Sequence, residues 1–241
     1  MDADSNFDEE LRLAFNSDAR FISHYLSKQV RKIKYSTNGS FNMVSVSPSK
    51  DILYKHRIVG ENALQIRIPF ETVLYKNMLS KERFNYYLKL LEEGYQLGNK
   101  YKTLPIDELV NLNNNLKNNG FINKWLHKRK IFKEYNLCVS LTAEFSAVDF
   151  QLHIQVETIK EKSNLVSGLI FKTAPYEAAF SPLFKDLVIE NENLIITEYL
   201  DRPKVVFTLE NILNKRLIFQ ILDNGLKYEP YQVLSEGNNE T

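Results

Sequence analysis

Hydrophobic positions first recur at helical spacing. Leu11 and Phe15, then Phe21, Ile22, Tyr25 and Leu26, predict helix over residues 7–33, with Asn16-Ser17-Asp18 marking a break. The pattern then changes to alternation. Phe41 and Met43 oppose Asn42, Val44 and Val46, which predicts a strand at 41–46. Residues 52–59 and 63–70 flank Gly60-Glu61-Asn62 and predict a hairpin, with Leu64, Ile66, Ile68 and Phe70 on one face at period two. Ser80 has the chemistry of an N-cap. Phe84, Tyr87, Leu88, Leu91 and Tyr95 then form an apolar helical stripe, for which Gly98 is the expected stop. A further helix is expected from Pro105, through Ile106, Leu109, Val110 and Leu116, to a left-handed close at Asn119-Gly120.

The second half is richer in alternation. Leu137, Val139 and Leu141 alternate with polar neighbours. Val148, Phe150, Leu152, Ile154 and Val156 alternate with Asp149, Gln151, His153, Gln155 and Glu157. One dry and one wet face is the pattern of an antiparallel pair. Further strands are expected at 169–171, 194–199 and 204–207. Thr208 then caps a closing helix carrying Leu209, Ile212, Leu213, Leu217, Ile218, Ile221 and Leu222, with Gly225 after it. Strict strand–helix alternation is missing and hairpins dominate. The fold class is therefore α+β, a mostly antiparallel sheet built from hairpins and packed with about four or five helices. One domain spanning 1–241 is the default, with a split near 165 as the alternative. The acidic first residues and the 235–241 tail are expected to fray.

Composition narrows the class of protein. With 44% hydrophobic positions in 241 residues the chain can bury a sizeable core. It has no run of the ~18 apolar residues that a membrane span needs, and its acidic start is unlike a signal peptide, so a cytoplasmic protein is expected. The lone Cys138 excludes an internal disulfide framework and a cysteine-based zinc site. Charge is uneven. Residues 1–10 carry five acids and no base, residues 11–140 carry 22 bases against 10 acids, and residues 141–241 carry 9 bases against 15 acids. Such asymmetry points to a charged partner, or to halves that neutralise each other.

The glycine-lined phosphate cradles, the nucleophile elbow and the two-histidine zinc helix are all absent from the sequence. Asp149, Glu157 and Lys160 approach the metal-nuclease pattern, but the spacing sends Lys160 to the opposite strand face from Glu157. No catalytic residue, metal ligand or cofactor site is assigned. Two constellations remain as candidate partner-binding residues. The first is the basic stretch 124–133, with Lys124, Trp125, Lys128, Arg129 and Lys130. Cations with an interleaved aromatic suit phosphate contact with base stacking, or an acidic protein partner with Trp125 as anchor. Alternatively the stretch is an amphipathic turn that buries Trp125, Ile131 and Phe132. The second is the wet strip Asp149, Gln151, His153, Gln155 and Glu157, which is a binding face, an acid/base site around Asp149 and His153, or plain solvent-facing sheet. Asn38-Gly39-Ser40 and Asn239-Glu240-Thr241 are sequons, without consequence where no secretory signal is read.

Gly168-Leu169-Ile170-Phe171-Lys172-Thr173 and Leu194-Ile195-Ile196-Thr197-Glu198 are late strands with polar edges. Through them the chain resembles the immunity proteins of bacterial polymorphic toxin systems, over under a third of its length. The resemblance implies a non-catalytic inhibitor that masks a cognate toxin or enzyme and needs no cofactor. The alternative expectation is a nucleic-acid-binding protein that uses the basic region within 11–140.

Overall fold

A computed structural model describes residues 8–37, 39–50, 52, 55–60, 62–223, 226–227 and 231–232. The acidic residues 1–7, Asn38, Glu61, Gly225 and the 235–241 tail lie outside the described residues. The chain is α+β with open, mostly antiparallel sheets. It divides into two compact units, Met1–Asn123 and Lys124–Thr241. Residue 165, the alternative boundary, falls inside a strand of the second unit.

The first unit opens with α1 (Glu9–Ile33). The Asp8 carboxylate accepts the Leu11 N–H at 2.8 Å, Glu9 and Glu10 suit the positive dipole end, and Arg31 and Lys32 suit the negative one. The expected break at Asn16-Ser17-Asp18 does not occur. Asp18 Oδ2 instead accepts from the Tyr75 and Tyr87 hydroxyls and from Arg83, at 3.2, 3.4 and 3.3 Å, so tertiary contacts outweigh weak helix propensity there. Strands β1 (Met43–Ser49), β2 (His56–Val59) and β3 (Ala63–Pro69) form a sheet of order β1-β3-β2. The predicted hairpin is the antiparallel β2–β3 pair, while β1 runs parallel to β3. Helix α2 (Thr72–Asn77), which the periodicity did not announce, leads into α3 (Ser80–Asn99) and α4 (Ile106–Asn118).

Caps and packing in this unit correct two local expectations and bear out a third. Ser80 is the first helical residue, not the cap; the Leu79 N–H is held by the Glu82 carboxylate at 2.7 Å. Gly98 does not stop α3 but lies inside it, buried like Gly94 one turn earlier. Both let the helix approach the sheet: a Cβ at Gly94 would stand 2.5 Å from Val46 Cγ2, and one at Gly98 would stand 2.3 Å from Ile66 Cδ1. At the end of α4 it is Gly120 that turns left-handed (φ +74°), whereas Asn119 keeps φ −83°. Phe15, Phe70, Tyr75 and Tyr87 form the aromatic centre of the unit.

His24 gives this unit a pH dependence. Burial, reinforced by the Lys28 charge, lowers its pKa to about 4. Asn123 Nδ2 donates to Phe21 O at 2.9 Å and to His24 Nδ1 at 3.0 Å, an arrangement that suits a neutral ring. Below the ordinary value of 6.5 the unfolded chain takes up this proton before the folded one. The stability contribution is therefore complete above about pH 6.5 and is lost as pH falls toward 4. Because the ring is partly solvated, roughly 2 kcal/mol is expected between pH 7 and 4.5. Urea unfolding at both pH values checks this, and His24→Gln should remove that part of the difference.

In the second unit, β4 (Lys124–Phe132), β5 (Leu137–Phe145), β6 (Phe150–Thr158) and β7 (Asn164–Thr173) form an antiparallel sheet in sequence order. A 3-10 turn at Lys133–Tyr135 joins β4 to β5, with Asn136 left-handed at φ +54°. The short α5 (Glu177–Phe180) leads to β8 (Asp186–Glu190), β9 (Asn193–Thr197) and β10 (Pro203–Thr208). Then follow α6 (Leu209–Leu213), β11 (Ile218–Asp223), β12 (Leu226–Lys227) and β13 (Tyr231–Gln232). The last strands form a second sheet of order β12-β11-β10-β9-β8, with β13 also paired to β11. The expected closing helix thus ends after five residues. Thr208 does cap it, accepting the Asn211 N–H at 3.3 Å, but Lys215 turns left-handed (φ +57°) and the chain continues as β11.

Candidate functional site

All ten candidate residues lie in the second unit, on β4 and at or within β6, with β5 between them. Strand alternation decides which way each points. On β5, Leu137, Val139, Leu141, Ala143 and Phe145 are buried on the inner face, as are Phe150, Leu152, Ile154 and Val156 on β6. The outer face carries Ser140, Thr142 and Glu144 beside Gln155, His153 and Gln151, which sit directly opposite them. The wet strip expected from period two is therefore real.

The basic stretch is the edge strand β4 and not an amphipathic turn, and Ile131, which the turn reading would bury, is exposed. Its register with β5 shifts between Leu126 and Lys128, so His127 is the extra residue of a β-bulge. Upstream of the bulge Lys124 and Leu126 share the outer face with Glu144 and Thr142; downstream it is Arg129 and Ile131 that share it with Ser140 and Cys138. Trp125, Lys128 and Lys130 face the inner side, opposite the buried Ala143, Leu141 and Val139. The candidates are thus divided between two faces.

The inner group is engaged within the unit. Lys128 Nζ and Lys130 Nζ lie 3.0 and 3.1 Å from the two Asp186 carboxylate oxygens, and Lys130 also donates to Leu187 O at 2.6 Å. Partial burial would raise the Asp186 pKa, but the Leu187 N–H and the two ammonium groups outweigh it and hold the carboxyl down to about 2. Trp125 lies 6.3 Å, ring to ring, from Phe150. The bulge residue itself donates from His127 Nε2 to Phe184 O at 2.6 Å. Lys128 and Lys130 therefore fasten β4 to β8, which is a structural use of the charges singled out in the sequence.

The outer group forms a chain of polar contacts. Asp149, in the turn before β6, is paired with Lys172 Nζ at 2.8 Å, and its carboxylate accepts from Ser146 Oγ at 3.1 Å and from Gln151 Nε2 at 3.2 Å. The Lys172 contact, above all, lowers its pKa. The Gln151 side-chain oxygen accepts the His153 Nε2 proton at 3.3 Å, so Asp149 and His153 connect only through an amide. Burial, then the Lys124 charge, lowers the His153 pKa, with Glu144 opposing them. Gln155 Nε2 donates to Glu157 at 2.7 Å, and Lys124 lies 3.9 Å from Glu144. Arg129 Nε donates to Cys138 Sγ at 3.2 Å, which raises the guanidinium pKa. Against these stand Leu126 and Ile131, large apolar side chains 58% and 54% exposed on the same face. Neither Leu126 nor Ile131 is among the candidates; what brings both to the outer face is the bulge between them, which the sequence does not display.

Among the described residues no group of three or more His, Cys, Asp or Glu side chains is placed to hold a metal ion, and no helix is long and apolar enough to cross a membrane. Comparison of the chain with protein-family models, with curated proteins and with solved structures finds no match.

Proposed function

We propose that this chain is a protein-binding module of the inhibitor or immunity type, which masks a toxin or enzyme partner with the outer face of β4–β7. The observation that carries the reading is the pairing of Leu126 and Ile131, both more than half exposed, with flanking polar side chains already held in place by their neighbours. Apolar anchors within a fixed polar surround are what an interface core and rim require. Side chains ordered before binding lose less conformational freedom on association. The two segments that carry the resemblance to immunity proteins lie in β7 and at β9.

The test is affinity capture by the tagged chain from its own cells, with a nuclease-treated sample in parallel. A stoichiometric protein that survives nuclease and loses activity when bound is expected. Replacing Leu126 and Ile131 together by glutamate should weaken its capture at least tenfold, at the cost expected for losing two anchors. Equal capture by this folded double variant would remove the outer face from consideration.

A further inference from the structure

The first unit has a second surface of different character. Three segments meet at one end of it. Tyr35, just past α1, donates its hydroxyl proton to Thr103 O at 3.2 Å, which ties the end of α1 to the chain leaving α3. Tyr101, two residues earlier, stacks on His56 at the start of β2, with centroids 3.6 Å apart and planes 19° from parallel. The charged side chains of these segments are cationic: Arg31, Lys32 and Lys34 at the end of α1, Lys55 and Arg57 at β2, and Lys100 and Lys102 beside Tyr101. All of these are exposed except Lys102, which is half-buried. Between Ala19 and Phe70 the sequence has just two acids, Asp51 and Glu61, both outside the described residues.

Helix dipoles account for cations at the ends of α1 and α3. They do not account for Lys55 and Arg57, which belong to the sheet side. Nor do they account for an aromatic ring standing among the charges with 39% of Tyr101 exposed and one ring face already backed by His56. A backed ring is a stiff stacking platform, and surrounding ammonium and guanidinium groups supply the contacts that a phosphodiester chain needs.

We propose that this end of the first unit binds single-stranded nucleic acid, with Tyr101 stacking on a base and the lysines of 34, 55, 100 and 102 contacting phosphates. The inference uses the first unit alone and stands or falls independently of the partner surface on β4–β7.

The experiment is fluorescence anisotropy of the full chain with a labelled mixed-sequence single-stranded oligonucleotide of about 12 nucleotides, a length within the site sizes of such surfaces. With four phosphates neutralised, affinity should fall roughly 50-fold between 50 and 200 mM salt, from a slope of about −0.7 per phosphate. Tyr101→Ala should weaken binding about tenfold and Tyr101→Phe should retain it, because stacking needs the ring and not the hydroxyl. Lys100→Gln with Lys102→Gln, a mild change at one exposed and one half-buried position, should weaken binding and flatten the salt slope, with thermal unfolding showing that the fold is kept. Absence of oligonucleotide binding at low salt overturns the proposal. So does binding that is indifferent to Tyr101→Ala, which would mark mere polyanion attraction, and so does equal affinity for poly-L-glutamate, which would mark a surface for acidic protein.

Discussion

Truncating Phe15 to alanine is expected to destabilise the first unit by about 4 kcal/mol, within the range for deleting a fully buried aromatic side chain. Its ring has no solvent exposure and packs edge-on to Phe70 and Tyr87, with centroids at 5.4 and 4.8 Å. Those contacts add to the loss from buried area, since aromatic pairs at such geometry contribute about 0.5–1.5 kcal/mol beyond it. Leu13, two residues earlier on the same helix, is 57% exposed, and Leu13→Ala should stay within about 0.5 kcal/mol. The contrast tests which face of α1 is buried. Urea unfolding followed by far-UV circular dichroism reads the effect, because α1–α4 all belong to this unit; the single tryptophan, Trp125, belongs to the other and would report poorly.

The second large effect is expected at Gly94, where valine should cost about 3 kcal/mol and alanine about 1–2 kcal/mol, even though alanine favours a helix by about 1 kcal/mol over glycine. A Cβ placed there would lie 2.5 and 2.7 Å from the two γ carbons of Val46 and 3.2 Å from its Cβ. Val46 is β-branched and buried in β1, so rotation about χ1 exchanges one γ carbon for another and relieves little. Gly98 should tolerate alanine better, since the nearest atom is the far end of Ile66. A double-mutant cycle of Gly94→Ala with Val46→Ala checks the argument. The second change removes the clashing carbons, and a favourable coupling above about 0.5 kcal/mol is expected.

The α+β class and the strongest elements were legible where the pattern was regular. The alternation through Leu137–Leu141 and Phe150–Val156 corresponds to β5 and β6, and the stripe Phe84–Tyr95 to α3. Departures trace to features that pattern alone does not carry. The strand β4 was hidden because its bulge interrupts period two and because its inward lysines find a carboxylate, Asp186, more than fifty residues later. Strand β8 was missed because its hairpin turns on Asn191-Glu192, both at positive φ (47° and 61°), without the glycine that usually advertises such a turn. Ile218 to Leu222 is an apolar run too short to separate helical from strand period, and the left-handed Lys215 decides for the strand. The candidate site was legible on β6, where the wet strip holds. It was not legible on β4, where Lys128 and Lys130 turn inward and Leu126 and Ile131 stand exposed without any mark in the sequence pattern.

The extra residue at His127 has a consequence for anyone who edits this chain. Leu126 and Lys128 pair with the adjacent residues Thr142 and Leu141, so removing His127 would close the bulge into a regular ladder and leave Lys128 to Phe132 on the faces they already hold. Arg129 and Ile131 would keep the outer face and Lys128 and Lys130 would keep Asp186, so a single-codon deletion at this one position would cost chiefly the His127 bond to Phe184 O.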